Sequence, residues 1–298
     1  MRKINRFEAH LDDYGIITAY LSKEFYQGRS DAFYVRDEMG QLAKCSIYNY
    51  EHSGNDYYKY TLGCDTSLVI GNKYDVLEEH GLTVPLQYSL ITKSLRFDEE
   101  FYYDGDDLGV KCTLNTCDFA IWAPTATRIV VEIFKENGPQ VIELIRGDKG
   151  VFRRHVDFNG HGLSYLYHIN VNGSWNTSID PMGIGSTGNN QRSVIIDFKQ
   201  LKKTNRYKLS PLAQPTDSII YELSVRDFTM QAESNIVNRG KFLGLTEENT
   251  KTMAGVSTGL AHIKELGITH VQIMPMYDFA TVDEHNVSLF YNWGYDPV

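Results

Sequence analysis

The chain has 298 residues, 42% apolar and 22% charged, with a net charge of −9. That apolar share can fill the cores of two or three domains and excludes general disorder. The acidic balance excludes nucleic acid as a partner, because phosphate chains are held by basic stripes that release counterions. No run approaches 18 apolar residues, so no membrane span is expected. The start, MRKINRFEAHLDDYG, has basic residues without an apolar stretch behind them and does not read as a signal peptide. Cys45, Cys64, Cys112 and Cys117 are too scattered for a disulfide framework or a metal knuckle. They are expected reduced and mostly buried, in a cytoplasmic protein.

Residues 1–96 read as short strands separated by Gly, Asn, Asp and Ser at roughly ten-residue spacing, the pattern of a small β-sandwich or barrel. The runs are Ile16 to Leu21, Phe33 to Val35, Cys45 to Tyr50, Tyr57 to Leu62 and Leu68 to Ile70. Residues 97–203 read as a second β-sandwich, with strands at Ile129 to Phe134, Val141 to Ile145, Phe152 to Val156 and Tyr165 to Val171. Tyr165, Tyr167, Ile169 and Val171 share one face, since strand side chains alternate. Asn172-Gly173 then predicts a type I′ turn leading into a return strand at Ser174-Trp175.

A polar stretch with Pro211 and Pro215 makes residues 204–216 a linker. Beyond it the pattern changes. Ser218 to Val225 is a nearly continuous apolar strand, and Val256, Leu260, Ile263 and Leu266 follow at helical spacing before Gly267. Ile268 to Met274 is a second buried strand, ended by Pro275. Strand, helix, strand is a βαβ unit, so residues 217–298 read as the first portion of a (β/α)₈ barrel, roughly a third of the ~250 residues such a barrel needs.

Few residues carry chemistry. Asp104, Asp106 and Gly109 match three positions of an EF-hand loop, but Leu108 and Asn115 stand where oxygen ligands belong, so a turn is expected and no metal. Trp122 reads as a core anchor, and His155, His161 and His168 share no ligand spacing. Asp283-Glu284-His285 reads as a solvated loop. The run Tyr291-Asn-Trp-Gly-Tyr-Asp-Pro297 follows the second barrel-type strand, where loops at carboxyl ends build active faces. Its aromatics suit either a sugar platform or a plug in the barrel rim, and the spacing does not choose between them.

Several of these segments also carry a family likeness. Glu100 to Gly109 and Phe119-Ala-Ile-Trp-Ala-Pro-Thr-Ala126 resemble the entry of a carbohydrate-binding family 48 module; Asp180-Pro181 and Arg192 to Asp197 fit its exit. Ile220 to Phe228, Gly259 to Pro275 and Tyr291 to Pro297 resemble the first strands and loop of a glycoside hydrolase family 13 barrel of the type I pullulanase kind. The resemblance implies retaining hydrolysis of α-1,6 links in a branched α-glucan without a cofactor, and an amino-terminal, β-rich extra domain. It also implies that the catalytic aspartate nucleophile, glutamate acid/base and second aspartate follow later strands, so no catalytic residue is expected in this chain and the chain alone should be inactive. Tyr295 is implied to stack on the sugar beside the scissile bond, with Asn292, Trp293 and Asp296 around it. Ser224 stands where pullulanases usually carry His. The alternatives are an isoamylase or branching-type enzyme of the same family, or a non-catalytic α-glucan-binding protein.

Overall fold

The computed structural model describes residues 6–201, 210–292 and 294–297. The chain divides into two compact units: residues 1–185 with 192–201, and residues 186–191 with 202–298.

The first unit opens with seven strands: β1 (Phe7–Asp13), β2 (Ile16–Ser22), β3 (Phe33–Arg36), β4 (Leu42–Ser53), β5 (Tyr57–Gly63), β6 (Asp75–Glu78) and β7 (Thr83–Tyr88). They form a closed barrel in the order β1-β2-β5-β4-β3-β6-β7. Of the two patterns expected, sandwich or barrel, it is the barrel that forms, so only the 1–96 half of the two-sandwich architecture is corrected. Closure comes from a parallel pairing of β1 with β7, Ala9 to Leu86 through Leu11 to Tyr88, which leaves the barrel without a free edge. Strand alternation drives the filling. Ala9 and Leu11, Ile17, Ala19 and Leu21, Phe33 and Val35, and Tyr58, Tyr60 and Leu62 all point into one core. Each fully buried aromatic or branched side chain stabilises by ~1.5–3 kcal/mol before entropy is set against it.

Leu68 to Ile70 is not a strand. Leu68 and Ile70 are buried and Val69 is exposed, and tyrosine hydroxyls take the place of a ladder partner. The Val69 and Gly71 N–H groups donate to Tyr74 and Tyr88 Oη at 3.0 and 2.7 Å. The helix α1 (Leu95–Phe101) straddles the expected division at residues 96 and 97. Ser94 Oγ accepts from the Phe97 N–H as its N-cap, and Phe97 and Phe101 bury themselves in the barrel core.

The rest of this unit is a two-sheet sandwich. Its strands are β8 (Gly109–Cys112), β9 (Cys117–Trp122), β10 (Arg128–Lys135), β11 (Gly138–Glu143), β12 (Ile145–Arg146), β13 (Val151–Val156), β14 (Ser164–Val171), β15 (Ser174–Ser178) and β16 (Ser193–Val194). One sheet runs β11-β10-β14-β15 with β16 beside β14, and the other β12-β13-β9-β8. Phe119, Ile121 and Phe152 meet Ile129, Val131, Ile133, Tyr165 and Tyr167 between them. Asn172 and Gly173 both have positive φ, 55° and 77°, as the predicted hairpin turn requires. The Arg146 guanidinium ties sandwich to barrel, donating to the carbonyls of Pro124, Ala126 and Ile70 at 2.8–3.0 Å.

Two sequence expectations fail here. Trp122 is no core anchor. It faces outward on β9, 43% exposed, and its indole N–H donates to the Phe101 carbonyl. Cys112 and Cys117, opposite each other where β8 meets β9, form a disulfide, so only Cys45 and Cys64 remain as free, buried thiols.

In the second unit β17 (Ile220–Leu223) pairs in parallel with β18 (His270–Ile273), Ile220 opposite His270 and Leu223 opposite Ile273. Between them lie α2 (Val225–Thr229) and α3 (Gly259–Glu265). β17 is shorter than expected because Ser224 caps α2, its Oγ accepting from the Asp227 N–H. Val256 lies outside α3, and Gly267 follows it with φ 71°, a left-handed stop. This parallel pair is not buried on both faces. Ile220, Val271 and Ile273 are 64%, 43% and 38% exposed. Among the described residues no helix is long and apolar enough to cross a membrane.

Candidate functional site

The loop after β18 folds back on itself through short-range polar pairing. Pro297 forms a bridge with Phe279, and the Asp296 carbonyl accepts from the Ala280 N–H. The Asp296 carboxylate accepts from Thr281 twice, from its N–H at 3.2 Å and its Oγ1 at 2.7 Å. Those bonds, Thr281 first, hold its pKa below the usual carboxylate range. Asn292 bridges the two strands of the loop, its Nδ2 donating to Thr281 Oγ1 at 2.8 Å and to Asp296 Oδ1. Its Oδ1 accepts from the Gly294 N–H. Gly294 has φ 93°, and a Cβ there would stand 3.0 Å from the Pro275 carbonyl oxygen, so the turn packs against the end of β18 in a way only glycine allows.

Tyr295 projects from this frame, 61% exposed, with its hydroxyl donating to Glu222 Oε1 on β17 at 3.3 Å. Desolvation and then Glu222 raise its phenol pKa, so it stays a neutral donor. Tyr291 donates to Asp227 Oδ2 at 2.8 Å, and the Arg226 guanidinium lies 5.0 Å from its ring centre. Of the four residues expected here, Tyr295, Asn292 and Asp296 are brought together, and Trp293 lies outside the described residues. Beside them, at the carboxyl ends of β17 and β18, a cavity of ≈ 710 Å³ is lined by Ser224, Met230, Phe242, Met274, Phe279 and Phe290. Sequence reading passed over Glu222 and Thr281, because a strand glutamate and a loop threonine carry no spacing signal.

Asp283-Glu284-His285 is a clip. Asp283 Oδ1 accepts from Asn189 Nδ2, Glu284 Oε2 accepts from the Asn189 N–H, and Asn189 Oδ1 accepts from the Glu284 N–H, all within 2.8–3.1 Å. Asn189, then Asn286 and the His285 N–H, pull the Asp283 carboxyl down to about 2. Asp107 is spent on Arg153, and His155 sits between Asp118 and Asp157. Among the described residues no group of three or more His, Cys, Asp and Glu could hold a metal ion.

Comparison with known proteins defines the class. Residues 7–93 match the pullulanase N1-terminal domain, and residues 107–183 match carbohydrate-binding module 48, the isoamylase N-terminal domain. Both matches are to domains of carbohydrate-active proteins, a pullulanase domain and a carbohydrate-binding module. Within that class the chain belongs with the pullulanases and matches their amino-terminal portion. It is 36% identical to a Bacillus subtilis pullulanase over 98% of the chain, while spanning 40% of that relative's length. A crystal structure of an Anoxybacillus pullulanase complexed with maltotriose superposes with a TM-score of 0.92 at 33% identity, covering 99% of this chain and 42% of that one. The Bacillus subtilis type I pullulanase complexed with maltose gives 0.91 at 36% identity, covering all of this chain and 41% of that one.

Proposed function

We propose that the whole protein to which these residues belong is a pullulanase, hydrolysing α-1,6-glucosidic links of branched α-glucan with retention and without a cofactor. In this reading residues 217–298 begin a (β/α)₈ barrel, residues 1–96 and 97–203 are the accessory domains, and 204–216 join them to the barrel. The observation that carries it is a match over nearly the whole chain to pullulanases, joined to an exposed tyrosine braced at the carboxyl end of a parallel strand pair. Tyr295 offers a flat, fixed face to the C–H groups of a pyranose. Asn292 and Asp296 hold the loop rigid, and the family resemblance gives Trp293, outside the described residues, the same supporting role. A cytoplasmic location belongs to the same reading, on the free, buried thiols Cys45 and Cys64; the Cys112–Cys117 disulfide points the other way.

The chemistry itself needs more than these residues. Retaining hydrolysis requires two carboxyl groups about 5–5.5 Å apart, one of them an acid with a raised pKa. In the second unit the carboxylates that depart from their ordinary range, Glu247, Asp283 and Asp296, are all lowered. By the family resemblance that pair follows later strands, so residues 1–298 alone should release no reducing ends from pullulan, whereas the longer protein should. Release by pure residues 1–298 at the rate of a full-length relative would overturn this. In the longer protein Tyr295→Ala should lower kcat/KM on pullulan by about tenfold, the scale of one lost aromatic contact. An unchanged value would remove Tyr295 from the site. If the longer protein only binds glucan, as exposed Trp122 and Trp175 on the sandwich would permit, affinity electrophoresis in amylopectin gels will retard it without hydrolysis.

A further inference from the structure

The barrel holds a second cysteine pair besides the disulfide of the sandwich. β4 and β5 are antiparallel with Ser46 opposite Gly63, so one step further along the same ladder Cys45 stands opposite Cys64. The neighbouring ladders agree. Cys45 is paired with Phe33 on β3, and the Cys64 N–H donates to the Gly15 carbonyl just beyond the β2 pairing. Both side chains point inward. Cys64 continues the buried series Tyr58, Tyr60, Leu62, and both sulfurs belong to the barrel core. Directly opposed residues of an antiparallel pair have Cα atoms ~4.5 or ~5.5 Å apart, inside the ~4.4–6.8 Å span of disulfides.

We propose that Cys45 and Cys64 are a reversible cross-strand dithiol and disulfide pair, oxidised by a small disulfide of the glutathione disulfide type. The two thiols act on each other: Cys45, and then the Thr66 N–H and hydroxyl, lower the Cys64 thiol, while the same interaction raises Cys45. Cys64 is thus the attacking thiolate at neutral pH. It is also the less buried of the two, 8% exposed against 3%, and it borders the exposed residues Asp65, Thr66 and Ser67. Its sulfur displaces one glutathione thiolate from glutathione disulfide and forms a mixed disulfide. Cys45 then passes its proton to the departing thiolate and attacks Cys64 Sγ, expelling the second glutathione. Two protein thiols lose two electrons and two protons, and one glutathione disulfide becomes two glutathiones. The product staples β4, the longest strand of the barrel, to β5.

Trypsin cuts after Lys44, Lys59 and Lys73, which places Cys45 in the peptide 45–59 and Cys64 in the peptide 60–73. Cys112 and Cys117 share one peptide between Lys111 and Arg128, so their bond cannot be mistaken for this one. The chain is incubated with glutathione disulfide, alkylated in denaturant, digested and analysed without reduction. A species of peptides 45–59 and 60–73 joined together should become the main form, and excess glutathione should return it to two alkylated thiols. Cys45→Ser should arrest the reaction at a glutathione adduct on Cys64. Recovery of both peptides as separate alkylated thiols after exhaustive oxidation would overturn the proposal, as would a wild-type chain that stops at the mixed disulfide.

Discussion

The first unit closes its sheets and the second leaves its sheet open. Barrel and sandwich each set their inward strand faces against one another, so Phe33, Phe119, Ile133, Tyr165 and Tyr167 are all at most 1% exposed. The parallel pair of the second unit has no such cover, and Ile220 is 64% exposed on a strand whose composition is that of a buried one. The difference teaches that strand composition states what burial a strand is suited to, while only the neighbours decide whether it receives it. An uncovered parallel pair is also a template for association.

Limited proteolysis sharpens that contrast most strongly. The first cuts should fall between Lys202 and about Gly255, releasing a soluble product that retains the whole barrel and sandwich. Resistance throughout that stretch, in a chain that stays monomeric, would show that the second unit is as well covered as the first. Point substitutions ask the same question more finely. Phe33→Ala removes a ring from the barrel core and should cost ~3–5 kcal/mol in denaturant unfolding. Val271→Ala, on a strand residue 43% exposed, should stay within ~1 kcal/mol. Equal costs would abolish the distinction.

One carboxyl in each unit should answer acid in opposite senses. Asp180 is buried in the sandwich, and burial lifts its carboxyl above the usual range despite bonds from the Tyr165 hydroxyl and the Met182 N–H. A raised carboxyl favours its protonated form in the folded state, so its charge costs stability above the folded pKa and that cost disappears as pH falls through it. Asp283, lowered to about 2, does the reverse. Its contribution is present above the ordinary aspartate value of ~3.9 and is lost as pH falls from there towards about 2. Carboxyl-carbon NMR titration should find Asp180 protonating before Asp283 as pH falls. The smallest effect concerns Tyr167, whose hydroxyl is buried without a hydrogen-bond partner. Tyr167→Phe should be neutral or stabilise by up to ~1 kcal/mol in thermal unfolding, whereas Tyr165→Phe, which takes a donor from Asp180, should destabilise.

Local pattern made much of this legible. The alternation of β14, the Asn172-Gly173 turn and the Gly267 helix stop all follow from period and backbone preference, and all are present. Three features escaped because distant partners decide them. Barrel closure depends on β1 meeting β7, and nothing in Phe7 to Asp13 announces a partner at Thr83 to Tyr88. Leu68 to Ile70 is apolar enough for a strand, yet Tyr74 and Tyr88 satisfy its backbone. The Cys112–Cys117 bond follows from the register of β8 on β9, which spacing alone does not give. At the candidate site Tyr295 is singled out by resemblance alone, and its contact with Glu222 on β17 carries no signal in the local sequence.

The parallel seam of the barrel has a consequence for the order of events in a ribosome-bound chain. Ala9 cannot find Leu86 until nearly the whole of the first domain has left the exit tunnel, and this is the barrel's strand pairing of greatest sequence separation. β2, β5, β4 and β3 can zip through antiparallel neighbours much earlier, so the seam is the last step and the slowest one to nucleate. Until then β1 and β7 are both open rims on a half-made cylinder. The amino terminus is therefore a poor place for a bulky fusion: anything that delays β1 prolongs the interval in which another nascent chain can occupy its berth.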